Sequence, residues 1–508
     1  MRTVRGSTDD VVVIGAGLAG LATALHLVGA GRSVTLLEQN EEPGGKAGRF
    51  VSDGYAFDNG PTVLTAPGLI QQTFAAVGED TADRLELLPV EPMYRAHFHD
   101  GSTIDAVNDP HAMAAEIGRV CGAREAAGFR RFATFLEQLY AAEYRHFIDR
   151  NIDGPFDLDP SELARLIALG AFRSMESKVR QYLHDPRAVR LFSFQALYAG
   201  VAPHHVRALY SVITYMGMAA GVFLPRGGMH ALPLALTAAA RDHGVVLRCS
   251  TKAERIETSL HGTARAVITS AGERLPADAV VVAAEPSVAL PRLLGRTRLH
   301  ARRISYAPSC LLWLTGAPAP EPSDDRAPAH HNVHFGASWR GAFDDIVRDG
   351  RLMRDPSFLV SAPTVTDPAL APVGQHNYHV VLPTPNLKAS HQNMPMDSER
   401  CADYVRRALV RHGYEHLLRT AGPQHMITPL DWERRGCPAG TPFGAAHTLR
   451  QTGPFRTSNL LGDNIVLAGA GTHPGVGIPM ALISGRLAAQ RITGPVTSST
   501  VRSWAGAT

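Results

Sequence analysis

The run Asp10-Val-Val-Val-Ile-Gly-Ala-Gly-Leu-Ala-Gly-Leu21, followed by Val34-Thr-Leu-Leu-Glu38, constrains the fold of this chain more than any other segment. The β-branched stretch predicts a strand, and glycines at 15, 17 and 20 predict a tight turn into a helix that includes Ala22–Leu27. The second stretch predicts a neighbouring parallel strand. Each glycine has its own duty: Gly15 permits the turn, Gly17 lets the backbone approach a pyrophosphate, and Gly20 lets the helix pack close to the strand. Leu18 and Ala19 lie at the helix start, where free N–H groups and a positive dipole end suit phosphate. Glu38, 18 residues beyond Gly20, can accept hydrogen bonds from an adenosine ribose. Strand, glycine turn, helix, strand and acid, in that order, predict a dinucleotide site.

With 508 residues the chain has room for two or three domains, at about 150 residues each. A hydrophobic content of 45% supports a large core. The net charge of +3, from 50 basic and 47 acidic residues without a long basic run, gives no reason to expect a nucleic-acid partner. Five cysteines, odd in number and far apart, form no C-x-x-C pair. They predict inert thiols in a reducing cytoplasm rather than disulfides or a zinc site. Met1–Asp10 carries no signal-peptide core. The stretch Ala208–Pro225 is uncharged between Arg207 and Arg226, but Ser211, Thr214, Gly217 and Gly221 make it a poor membrane span. It reads as ordinary core, as the wall of an apolar cavity, or as a surface dipping into a membrane from one side.

Farther along, Glu42-Pro-Gly-Gly-Lys-Ala-Gly-Arg49 is a glycine-rich loop with two cations, and Gly54–Val63 reads as a short strand and turn. From 76 to 225 helical spacing dominates, at Gly128–Tyr144, Glu162–Met175 and Val179–Tyr198. A helix at His230–Asp242 and strands at Val245–Cys249, Ala264–Ser270 and Ala279–Ala284 follow. Residues 300–455 mix strand and helix, broken by a Pro- and Asp-rich loop at Ala317–Pro328. Asn464–Pro479 is again strand and glycine turn, leading into a helix at Met480–Ile492. The expected fold is therefore α/β. A Rossmann-like, discontinuous dinucleotide domain (1–75, 226–300, 456–495) is interleaved with a mixed α+β substrate domain (76–225, 301–455) whose helical part is 128–225. A tail covers 496–508.

These motifs resemble the bacterial-type phytoene desaturases and their relatives, FAD-dependent carotenoid enzymes with the amine-oxidase-like flavoprotein fold. The resemblance runs nearly end to end, through Val11–Gly20, Pro43-Gly-Gly-Lys46, Phe57-Asp-Asn-Gly-Pro-Thr62, Phe192–Tyr198, Leu224–Met229, Val381–Asn386 and Gly469–Pro479. It implies FAD, with Gly15, Gly17, Leu18, Ala19 and Gly20 at the pyrophosphate and Glu38 at the ribose. Gly44 and Gly45 would run close to the cofactor. Lys46 stands where the family often has Arg, keeping the charge without the bidentate fork, and Arg49 is a candidate to compensate. Gly60, Pro61, Thr62 and Ala253 are further cofactor candidates. The closing block would place Gly471, Thr472, His473 and Gly475 near the flavin, with the helix from Gly477 and Ile478 aimed at its pyrimidine. His473 and Thr472 are the catalytic candidates. Relatives among the amine oxidases usually carry an acid in this block, and none stands here.

The resemblance implies desaturation of a long apolar polyene such as phytoene, by loss of an allylic hydride to flavin N5 and of a neighbouring proton. Such a substrate binds by apolar burial and needs a long tunnel. No second nucleotide motif is present, so the expected electron acceptor is oxygen or a membrane quinone. The expected location is the cytoplasm, bound peripherally to the inner face of the membrane. His330, His331 and His334 follow a Pro-rich loop without a strong carboxylate partner, so no metal site is expected. Competing readings are a flavin-dependent isomerase, oxidase or saturase of carotenoids, an amine oxidase, and a prenyl-protein escort factor without flavin. The oligomeric state is not set by the sequence.

Overall fold

The computed structural model describes residues 1–295, 304–319, 329–390, 396 and 398–495. The tail 496–508, residues 296–303 and most of the expected loop at Ala317–Pro328 lie outside the described residues.

The N-terminal unit folds in the predicted order: strand β1 (Asp10–Ile14), helix α1 (Leu18–Gly29) and strand β2 (Ser33–Leu37). The helix starts directly after the glycine turn, four residues before the stretch picked out by sequence. β1 sits at the centre of a six-stranded sheet, with β2 beside it. Its strand order is Leu460–Leu461, Ile465–Leu467, Ala279–Val282, β1, β2 and Val246–Arg248, all parallel except the first. Burial on both faces explains why β1 and Ala279–Val282 are runs of apolar, mostly β-branched residues. The closing helix Ile478–Thr493 crosses α1, and the Thr23 hydroxyl donates to the Gly485 carbonyl at 3.2 Å. The N-terminal ends of both helices open on one cavity, which Leu18, Ala19 and Ile478 line.

The second sheet has seven strands: Gln424–Ile427, Ser309–Pro318, Gln375–Thr384, Phe358–Ser361, His331–Phe335, Tyr94–Phe98 and Thr103–Ala106. One face of it floors the cavity, through Leu312, Val333, Leu359 and Val381.

The helical region departs from expectation where proline intervenes. Ala123–Glu143 is one helix, continued by a wider turn at Tyr144–Ile148. Its stripe of Phe129, Phe132, Leu136 and Leu139 is fully buried, and Phe129 and Phe132 meet Phe192 at ring separations of 5.2 and 5.5 Å. The expected helix Glu162–Met175 is Pro160–Leu169, ended by Gly170 in the left-handed region. The expected helix Val179–Tyr198 does not exist as a unit. It divides into Met175–Val179, Pro186–Leu191 and a turn at Phe194–Leu197. Pro186 cannot continue a helix, and the Asp185 carboxylate starts a new one by accepting from Arg187 N at 2.8 Å. Ala208–Pro225 is likewise broken, into a turn, the helix Val212–Ala220 and the strand Phe223–Pro225. Leu209, Ile213, Met216 and Val222 place it in the cavity wall. No helix among the described residues is long and apolar enough to cross a membrane.

Candidate active site

A single cavity of about 1550 Å³ runs between the two sheets. Its polar end is built by the glycine turns. Gly20 does not line it. A Cβ there would lie 1.9 Å from the Gly15 carbonyl oxygen, so this glycine serves the contact between helix and strand. Gly17 does line it, with φ −74° and ψ 175°, and a Cβ there would meet nothing closer than Gly45 Cα at 3.9 Å. The protein itself leaves the space beside Gly17 open. No side chain caps α1 there, so its first N–H groups keep free donor capacity.

Glu38 is buried at the same end. Its Oε2 accepts from Ala16 N and its Oε1 from Asn40 N and Nδ2, each at 2.9 Å. The carboxylate is thus locked against the turn while its residue lines the cavity. Gly15, Gly44, Gly45, Gly60, Pro61, Thr62 and Ala253 line the cavity with it. Lys46 Nζ donates to the Pro442 carbonyl at 2.7 Å, committing the cation to a wall contact. Arg49 sits at the rim and pairs with exposed Glu42 at 3.1 Å.

The closing block divides by side. Gly471, His473 and Ile478 face the cavity. Thr472 does not: it is fully buried behind the loop, and its hydroxyl donates to the Thr457 carbonyl at 2.7 Å. That bond makes it a brace of the loop and removes it from the catalytic candidates. Gly475 also lies off the cavity. Its φ is +143°, and a Cβ would lie 2.4 Å from His447 Nε2, so the backbone conformation and His447 demand glycine there. Burial first, and then the Arg456 charge, push the His473 pKa down to about 4. The ring is therefore neutral at pH 7 and cannot serve as an imidazolium acid.

The apolar end is walled by Leu158, Leu163, Leu166, Phe172 and Leu209, with Tyr94 and Phe194 packed edge to face at 5.5 Å. Three features of the cavity escaped the sequence reading. Glu143 lines it while only 4% exposed, and burial alone drives its pKa well above the carboxylate range. Its spacing from Leu136 and Leu139 already places it on the apolar helix face, a signal that was available. Across the floor, His331, Ser361 and His379 form a cross-strand row. His331 Nδ1 meets Ser361 Oγ at 2.8 Å, and the two rings line the cavity. Arg456, behind the closing loop, is the third. His330 and His334 turn to Thr366 and Tyr414 instead, at 2.8 and 3.0 Å.

A Gly17 with open space, an uncapped helix start, a buried acid at the second strand and a glycine loop at a second helix start together fit a flavin dinucleotide. The comparisons point to a flavin. Residues 18–493 match the family of flavin containing amine oxidoreductases. The chain is 47% identical to a phytoene dehydrogenase of Streptomyces griseus, covering 100% of this chain and 99% of that one. It is 35% identical to a zeta-carotene-forming phytoene desaturase of Myxococcus xanthus, covering 95% and 93%. A putrescine oxidase with putrescine bound shares the fold at a TM-score of 0.60, over 96% of this chain and 98% of that one, with 15% identity. The chain therefore belongs to the flavin containing amine oxidoreductases and, among them, to the phytoene desaturase family of carotenoid enzymes.

Proposed function

We propose that this protein is an FAD-dependent desaturase of a long apolar polyene of the phytoene type. One observation carries the reading: a single cavity is lined by Gly15, Gly17 and Glu38 at one end and by Leu158, Leu163 and Leu166 at the other. A dinucleotide fits the first end and a hydrocarbon chain the second. FAD, when bound, supplies the acceptor for an allylic hydride.

The protein's part is to hold, orient and keep dry. Gly15, Gly17 and the start of α1 receive the pyrophosphate, Glu38 the ribose, and Gly471 with the start of the closing helix the ring end. The polyene has no polar handle, so the wall of 158–172 and 209–222 binds it by burial, at about 25 cal/mol per Å² of apolar surface before ordering costs. Burial pushes the Glu143 pKa well above the usual carboxylate range and the His473 pKa down to about 4, shifting both side chains toward their uncharged forms. A wall of apolar side chains leaves the hydrocarbon free to slide until an allylic C–H meets the ring.

The electron acceptor is oxygen or a membrane quinone, and the enzyme works docked on the inner face of the membrane. Fully exposed Phe156 supports this, together with Ile167, Leu449 and Phe455, each at least 46% exposed. Pro155, Leu449 and Phe455 also line the cavity, so this apolar rim borders its mouth. An exposed apolar rim around a tunnel for a lipid-soluble substrate suits docking on a bilayer surface.

The reading is tested by loading purified protein with FAD and incubating it with phytoene in liposomes, with oxygen or a quinone supplied as electron acceptor. Loss of hydrogen pairs from the polyene, with new visible absorption bands, is the expected result. FAD uptake with an unchanged polyene under both oxidising and reducing conditions would defeat the desaturase reading.

A further inference from the structure

Arg456 is 7% exposed and, among the described residues, makes no ion pair. All its contacts are with carbonyl oxygens. Nε donates to Thr472 O at 2.9 Å, Nη2 to Ala470 O at 2.5 Å and Nη1 to Gln451 O at 3.2 Å. Burial opposes its charge, while Tyr210 and Glu285 nearby support it. Burial first, and then the same charge, depress the pKa values of His447 and His473. A buried guanidinium without a carboxylate contact is expensive unless an anion arrives to meet it.

Peptide geometry shows where that anion would sit. The peptides joining Ala470 to Gly471 and Thr472 to His473 are trans, and a trans peptide points its C=O and N–H in opposite directions. With the carbonyls of Ala470 and Thr472 both turned to Arg456, the N–H groups of Gly471 and His473 point away from it. Gly471 and His473 are among the loop residues that line the cavity, and Thr472 is not. Neither N–H donates to another protein group among the described residues. The loop is clasped from behind and presents two free donors in front, beside the uncapped start of the closing helix.

We infer that Arg456 is a positioning residue of the flavin site, aiming the Gly471 and His473 amides at the cofactor and adding an unpaired positive charge that favours the reduced, anionic ring. The inference rests on the flavin reading above. It makes the closing loop an electrostatic device in which one buried cation sets both the direction of the donors and the potential they act in.

The test uses full-length wild type, Arg456→Lys and Arg456→Gln loaded with FAD. The midpoint potential of the bound flavin is measured, with the FAD dissociation constant and the melting temperature of the cofactor-free protein. Lysine keeps the charge and loses the fork, whereas glutamine loses the charge. In Arg456→Gln the preference for reduced over oxidised flavin is expected to fall at least tenfold, a drop of about 30 mV for a two-electron couple. In Arg456→Lys that preference should stay within about threefold of wild type while FAD binding weakens. Equal potentials in all three proteins would overturn the inference and leave Arg456 a brace alone. If the glutamine variant does not fold, sulfite titration of the wild-type and lysine proteins decides, because sulfite addition leaves the ring negatively charged. Adduct formation in both is expected, and its absence overturns the inference. A wild type that takes up no FAD would instead sink the flavin reading itself.

Discussion

Gly17 and Gly20 lie in the same turn, yet the structure gives them opposite tasks, and substitution by alanine separates them. In Gly20→Ala the new methyl would lie 1.9 Å from the Gly15 carbonyl oxygen and 3.2 Å from Ala283 Cβ. Such contacts essentially never fall below 3.0 Å, so α1 must retreat from β1 by the difference, about 1.1 Å. Overpacking of this kind costs about 1–3 kcal/mol, of which the better helix propensity of alanine returns up to about 1 kcal/mol. The retreat also carries the first N–H groups of α1 away from the pyrophosphate. Charge-assisted bonds of about 1.5–3 kcal/mol each then weaken, enough to lower FAD affinity about a hundredfold if two are lost. In Gly17→Ala the methyl meets only Gly45 Cα at 3.9 Å, and φ −74° with ψ 175° suits any residue. The cofactor-free protein should keep its stability within about 0.5 kcal/mol, while the methyl occupies the path of the pyrophosphate and FAD binding falls by a similar hundredfold. The assay is denaturant unfolding of cofactor-free protein alongside FAD titration by flavin fluorescence. A destabilised Gly17→Ala protein with normal FAD binding, or a Gly20→Ala protein indistinguishable from wild type, would refute the reasoning.

Glu143 has a folded-state pKa above its unfolded value, so its contribution to stability is complete below the unfolded value and is lost as pH rises through the folded one. Within that window wild type should lose stability relative to Glu143→Gln by about 1.4 kcal/mol per pH unit, and a pH-independent difference would contradict the assigned burial. Asp58, half-buried and raised to about 6 by desolvation against its bonds from Met229 N and His230 N, predicts the same sign between its ordinary range and about pH 6. Asp58→Asn should flatten the wild-type stability profile across that interval, as read by thermal melts at stepped pH. Replacing Phe156, Ile167 and Phe455 together by serine should reduce co-sedimentation with anionic liposomes and leave FAD uptake unchanged; undiminished sedimentation would remove the rim from the docking surface.

The nucleotide end was legible in the sequence because its chemistry is local. Gly15, Gly17, Gly20 and Glu38 act through spacing along one strand–helix–strand unit, and the structure sets them in the expected turn. The closing block was legible only as a block. Which of its residues face the ligand depends on alternate directions along a loop, and that places Gly471 and His473 in front but Thr472 behind, on Thr457. The false helix at Val179–Tyr198 came from reading apolar spacing through Asp185-Pro186, a pair that starts a helix rather than continuing one. Arg456 carried no sequence signal, since a cation followed by Thr457 and Ser458 looks solvent-exposed until tertiary packing buries it. Glu143 was visible by its helical phase, but only the closed wall shows that it has no ion-pair partner among the described residues.

The central claim is that one cavity couples a hydrocarbon to a flavin, and a single anaerobic turnover tests it most directly. FAD-loaded protein is mixed with phytoene in liposomes without an acceptor, and flavin absorbance and polyene mass are followed together. The account predicts bleaching of the flavin with loss of one pair of hydrogens from the polyene per flavin reduced. A flavin that stays oxidised while bound polyene keeps its mass, or one that bleaches without any change in the polyene, would contradict it.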